Sequence, residues 1–169
     1  MTNRPKLHLP LTATDKVLEV TSYLLLIILW GFAIYSYQNS PDIVPTHFNG
    51  SGDVDGYGDS ASVFGMAGVC TLLFILLTFL TGKPHLFNYP TEITPDNALK
   101  QYTNATRLLR AFKIAIPLIF ICIEYSSFEV AIGDSEELGK GYILMIFALV
   151  YIPVLYFLAR SSSASDKKS

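Results

Sequence analysis

The sequence predicts an all-α integral membrane protein, a four-transmembrane-helix bundle with both termini in the cytoplasm. Three observations carry this. Hydrophobic residues make up 51% of the chain and charged residues only 15%, a composition far from that of a soluble domain. Four apolar stretches approach the ~20 residues a helix needs to cross ~30 Å of hydrocarbon. Nearly all basic residues fall on one side of those stretches, as the positive-inside rule requires.

The first span is expected over about 17–37, with LLLIILWGFAIYSY ending in interfacial aromatics. It runs on into YSYQNSPD without a small-residue cleavage site, so it reads as an uncleaved span rather than a secretory signal. The second, 61–81, contains GVCTLLFILLTFL, and the fourth, 142–159, contains ILMIFALVYIPVLYFLA; both lack charge. The third, 111–132, begins cleanly as IAIPLIFICI and then carries Glu124, Ser126, Ser127 and Glu129. Such a segment needs neighbouring helices to shield its polar side.

Arg4, Lys6 and Lys16 precede the first span. Lys83, Lys100, Arg107, Arg110 and Lys113 lie between the second and third, and Arg160, Lys167 and Lys168 follow the fourth. Only Lys140 falls on the other side. The segment 41–60 and the short loop 133–140 are therefore expected outside, and residues 82–110 in the cytoplasm. The first half of that cytoplasmic loop is rich in proline. In the second half Ala98, Leu99, Tyr102, Ala105, Leu108, Leu109 and Phe112 recur at helical spacing. This predicts an amphipathic helix before the third span, capped by Thr94 or Asp96 with Pro95 in its first turn, its basic residues at anionic headgroups. Residues 1–160 form one membrane domain, and the tail 161–169 (SSSASDKKS) is expected to be disordered. The net charge of −2 is uninformative about partners, and no basic stripe suggests nucleic acid, which is not expected as a partner. Cys70 and Cys122 lie within apolar runs and read as small buried hydrophobes.

The segment PDIVPTHFNGSGDVDGYGDS, 41–60, holds the candidate chemistry. Pro41 and Pro45 favour extended backbone, so VPTHF reads as extended, and the glycines predict turns over NGSG and DGYG. Asp53, Asp55 and Gly58 fit positions one, three and six of a calcium loop. Tyr57 at position five and Phe64 at position twelve, where a bidentate Glu belongs, break the template. A divalent cation at the outer loop held by His47, Asp53 and Asp55 (with Asp59 nearby) stays open, against a reading of solvated carboxylates and a hydrogen-bonded His. Asn49 in N-G-S and Asn104 in N-A-T match the glycosylation pattern. No nucleophile-elbow or H-E-x-x-H signature is present, which speaks against an enzyme.

Glu124 is expected in the outer half of the membrane and Glu129 near its rim, under the 41–60 segment. An ionisable group at such depth faces a bundle interior, a cavity or a partner. Two readings stand: a carboxyl hydrogen-bonded by Ser126, Ser127 or a Tyr, or an outward-open polar pocket roofed by the loop. The candidate ligand-binding set is therefore His47, Asn49, Asp55, Tyr57, Glu124 and Glu129.

Pro41, Pro45, His47, Asn49, Gly52, Asp55, Gly56, Tyr57 and Gly58 follow the pattern of a proline, then "iPtHfn", a glycine and "DgYG". Over roughly residues 24–70 the chain resembles a bacterial membrane domain of unknown function. That domain occurs in relatives of the immunity protein against a sporulation-delaying toxin. The resemblance implies a multi-pass protein of the bacterial cytoplasmic membrane, whose immunity branch protects the membrane from a toxin and can hold a transcriptional repressor there. The first hypothesis for this chain is a non-enzymatic protein of immunity or sensor type, with no cofactor expected. Its partners would be the lipid bilayer and proteins of the membrane or periplasm, and its outer loop would bind an extracytoplasmic peptide, lipid or ion. The immunity protein is longer, with a second module of extra spans that this chain lacks. The alternatives are an accessory subunit of a larger membrane complex and a metal-dependent membrane enzyme centred on His47 and Asp55.

Overall fold

A computed structural model describes residues 4–139 and 141–162. The expected disordered tail therefore lies outside the described residues from 163 onward, as does Lys140, while Ser161 and Ser162 close the last helix. The element order is α1 (Ala13–Asn39), β1 (Ile43–Phe48), β2 (Val54–Asp59), α2 (Ser62–Thr81), α3 (Ala98–Ile132) and α4 (Gly141–Ser162), with a single 3₁₀ turn at Pro84–Leu86.

Three helices, α1, α2 and α4, are long and apolar enough to cross a membrane. Their outer faces carry large apolar side chains that no described residue covers, among them Ile27, Leu72 and Leu144, each about two-thirds exposed or more. Such a belt is compatible with hydrocarbon and not with water.

The helix α1 starts at a reciprocal cap. The Thr12 hydroxyl accepts from Asp15 N, and the Asp15 carboxylate accepts from Thr12 N at 3.0 Å. The core lies where α1, α2 and α3 meet. Leu29 and Ala33 of α1 pack on Val63, Ala67 and Cys70 of α2, with Ile116, Phe120 and Ile121 of α3 closing over them. Small residues on both α1 and α2 allow the close approach that packing in lipid needs. Cys70 is buried there and Cys122 is half-buried; both are free thiols.

The helix α3 is the centre of the molecule and packs on α1, α2, α4 and β1. It is one uninterrupted helix of 35 residues, about 52 Å long. The amphipathic helix and the third apolar stretch are thus one element. Its N-cap is Asn97, not Thr94 or Asp96. The Thr94 carbonyl accepts from both Asn97 N and Ala98 N, and Asn97 Oδ1 accepts from Thr94 N, so 94–97 form a turn that delivers the chain to the helix. At its far end α3 stops at Gly133, whose φ of +85° ends the helix in the left-handed region.

The expectation of an all-α chain needs one correction. Residues 43–59 form a two-stranded antiparallel sheet. DGYG, expected as a turn, lies within β2, because its glycines face side chains of the partner strand. A Cβ on Gly56 would meet His47 Cβ at 3.0 Å, and one on Gly58 would meet Thr46 Cγ2 at 2.9 Å. Glycine serves here for cross-strand clearance, not for bending.

Candidate functional site

The hairpin is built around Asn49. Its Oδ1 accepts from Ser51 N at 2.8 Å and from Asp53 N at 3.1 Å, and its Nδ2 donates to Asp53 Oδ2 at 3.1 Å. This is an Asx turn that closes the connection between the strands. Gly52 follows with φ +96°. Its carbonyl accepts from Leu138 N at 2.7 Å, and Asp53 bridges Glu137, so the loop between α3 and α4 is docked on the tip of the hairpin. Val44 of β1 is buried beneath the sheet, and β1 rests against α3.

Two irregularities aim the exposed side chains. Pro45 pairs with Tyr57 and His47 with Gly56, which leaves Thr46 as an extra residue in β1. His47 and Phe48 then pair with Gly56 and Val54, which leaves Asp55 as an extra residue in β2. Paired bulges of this kind re-aim side chains. Here they put His47 Nδ1 against Asp55 Oδ1 in a short contact. Both side chains face outward, His47 70% and Asp55 45% exposed. Tyr57 stands on the same strand, 65% exposed.

Beside the far half of β1 and the turn that follows it lies a groove of about 670 Å³ between the hairpin, α2, α3 and α4. His47 and Asn49 form its polar side; Met66, Ile123, Ile143, Ile146 and Phe147 form its apolar side. Glu124 is not part of its lining. It is completely enclosed, and neither carboxylate oxygen has a hydrogen-bond partner among the described residues. The expected partners Ser126 and Ser127 have hydroxyls that are equally unpartnered. Ser126, two residues along α3, projects from another face of the helix; Ser127, three residues along, shares the Glu124 face without a hydrogen bond to it. Glu129 is half-exposed beside the Tyr125 hydroxyl one turn earlier. Its carbonyl accepts from Asp134 N at 2.9 Å and so helps to end α3.

The candidate set therefore divides. His47, Asn49, Asp55 and Tyr57 share the hairpin, while Glu124 lies sealed within the bundle and Glu129 at the end of α3. Asp53 is held by Asn49, not by the His47–Asp55 pair. Among the described residues no group of three or more His, Cys, Asp or Glu is gathered in a metal-holding arrangement. The two glycosylation-pattern asparagines are both engaged, Asn49 in the turn and Asn104 by donation to the Phe157 carbonyl.

At the opposite end the structure contains a cluster the sequence did not announce. Arg107 Nε donates to Asp15 Oδ1 at 2.8 Å, Arg110 Nε to Glu19 Oε1 at 3.0 Å, and Lys113 Nζ to Glu19 Oε2 at 2.5 Å. Lys113 is fully buried, its ammonium 4.9 Å from the Tyr23 ring centroid and 4.5 Å from that of Phe74. A buried ammonium needs compensation of this kind, one carboxylate and two ring faces. The signal was present as an i, i+4 acidic pair on α1 and an i, i+3, i+6 basic series on α3. Nothing local says that these two stripes face each other.

Residues 24–71 match the model of a family described as a domain of unknown function (DUF1648). The matched stretch is the second half of α1, the hairpin and the first half of α2. The chain is also 26% identical over 163 residues to an uncharacterized protein of Archaeoglobus fulgidus, an alignment that covers 88% of each chain. No solved structure matches.

Proposed function

We propose that the chain is a non-enzymatic four-span membrane protein of the immunity or sensor type, which binds an extracytoplasmic peptide between its hairpin and α4. In this reading α3 is the third span, both termini face the cytoplasm, and the hairpin lies outside. The gathering of basic residues at the α1 N-terminal end, opposite the hairpin, supports that orientation. The enclosure of Glu124 and Lys113 by neighbouring helices supports a spanning α3, since charged positions are tolerated in a membrane only where protein covers them.

The observation that carries the binding reading is the two-sided groove. A peptide with alternating polar and apolar side chains would place the polar ones on Thr46 and His47 and the apolar ones on Ile146 and Phe147. Tyr57 adds an exposed aromatic of the kind enriched at binding hot spots. The resemblance to relatives of a toxin-immunity protein points the same way.

The test is sensitivity of a deletion strain to membrane-active peptides secreted by competing cells. Loss of the gene should raise sensitivity, the wild-type gene should restore resistance, and Phe147→Asp should not. Unchanged sensitivity on deletion would end the immunity reading. A second reading, an accessory subunit of a larger complex, is favoured by α4, which has no buried residue in its apolar window and packs chiefly on α3. A mild-detergent pull-down that recovers a stoichiometric second membrane protein would favour it.

A further inference from the structure

We infer that the α1–α3–α4 face holds a binding site for one anionic phospholipid, at the end of the bundle opposite the hairpin. The site is distinct from the hairpin groove and does not depend on it.

Three hollows run into one another along this face. The first, about 310 Å³, is lined by Lys100, Arg107 and Arg160, with Asn104 and the single carboxylate Asp96. The second, about 350 Å³, shares Asn104 and Arg107 with it and is otherwise mostly apolar. The third, about 340 Å³, shares Leu18, Ala111, Ile152 and Pro153 with the second and is almost wholly apolar. On α3 the path runs from Asn104 to Ala115, about 16 Å along the helix axis.

This sequence of linings selects its occupant. A soluble anion would use the basic end and leave the apolar hollows unexplained. A neutral lipid would use the apolar hollows and leave the cations unexplained. A phospholipid with a net negative head satisfies both. Its phosphate would take the basic end, and an acyl chain would follow Leu18, Ala111 and Ile152. Cations outnumber carboxylates in the lining, three to one. Arg107 spends Nε on Asp15 and Nη2 on Thr12, and Arg160 spends Nη1 on Tyr156; each guanidinium retains further N–H donors, since the group carries five. These existing bonds hold the guanidiniums in place. Basic pockets between spanning helices are known receptors for acidic headgroups, and α1 and α4 are both apolar enough to span.

The test is native mass spectrometry of the full chain released from vesicles of equimolar phosphatidylglycerol and phosphatidylcholine. One phosphatidylglycerol should be retained per chain in preference to phosphatidylcholine. Lys100→Gln and Arg160→Gln should each reduce that preference about fivefold, the effect of one basic residue near a lipid surface. Ala148→Trp, on the exposed side of the apolar hollow, should displace the lipid while circular dichroism stays unchanged. Equal retention of the two lipids, or unaltered preference in both Gln variants, would overturn the site. Retention by Ala148→Trp equal to wild type would remove the acyl groove. Inorganic phosphate that raised the melting temperature as much as phosphatidylglycerol would replace the lipid with a simple anion.

Discussion

Gly52 and Leu138 meet backbone to backbone. Leu138 N donates to Gly52 O at 2.7 Å, and a Cβ on Gly52 would stand 2.6 Å from Leu138 O. Only glycine satisfies both this approach and a φ of +96°. Gly52→Ala should therefore cost about 2 kcal/mol or more from backbone strain and collision together. Thermal unfolding in detergent checks it. A loss well under 1 kcal/mol would mean that the loop carrying Glu137 and Leu138 does not dock on the hairpin.

Asn49 does the work of a turn rather than of a ligand. Asn49→Ala removes acceptors from two backbone amides and should cost about 1 kcal/mol. Asn49→Asp keeps the acceptor and should recover part of that. If Asn49→Ala melts like wild type yet abolishes peptide protection, Asn49 belongs to the binding surface instead.

The exposed members of the hairpin should behave in the opposite way. Tyr57→Ala and His47→Ala should each change stability by less than about 1 kcal/mol, since Tyr57 touches little and the His47–Asp55 pair is solvent-exposed. Each should weaken protection in the deletion-strain assay. Stable variants with full protection would take the peptide away from this face.

The Glu19 cluster makes an asymmetric prediction. Among the described residues Glu19 answers two cations, Arg110 and Lys113, whereas Lys113 answers Glu19 alone among carboxylates. Glu19→Gln strands a buried ammonium and should cost about 3–5 kcal/mol. Lys113→Met leaves Glu19 with Arg110 and fills an apolar ring cage, so it should cost clearly less. Equal losses in chemical unfolding would show that Lys113 is not buried as described.

What was legible in the sequence follows from the range of each interaction. The apolar stretches of α1, α2 and α4 announce themselves, because membrane spanning is a property of one segment at a time. The extended VPTHF piece was readable from its prolines. Gly56 and Gly58 were misread as turn residues because glycine has two uses, bending and clearance. Which one applies depends on Thr46 and His47 across the strand pair. The Glu19–Lys113 pair was hidden for the same reason. Its spacing is visible on each helix, but only the packing of α1 on α3 brings the stripes together. Glu124 was recognised as unusual, and its enclosure agrees; the serine partners did not materialise.

The central claim is that the hairpin faces outward, opposite the cytoplasmic end that carries Arg107, Arg110 and Lys113. The most direct measurement is labelling of intact cells with a membrane-impermeant maleimide, using Tyr57→Cys and Lys100→Cys in a background with Cys70 and Cys122 replaced by serine. The account predicts that Tyr57→Cys labels in intact cells and Lys100→Cys only after permeabilisation. The reverse pattern, or labelling of both only after permeabilisation, would contradict it.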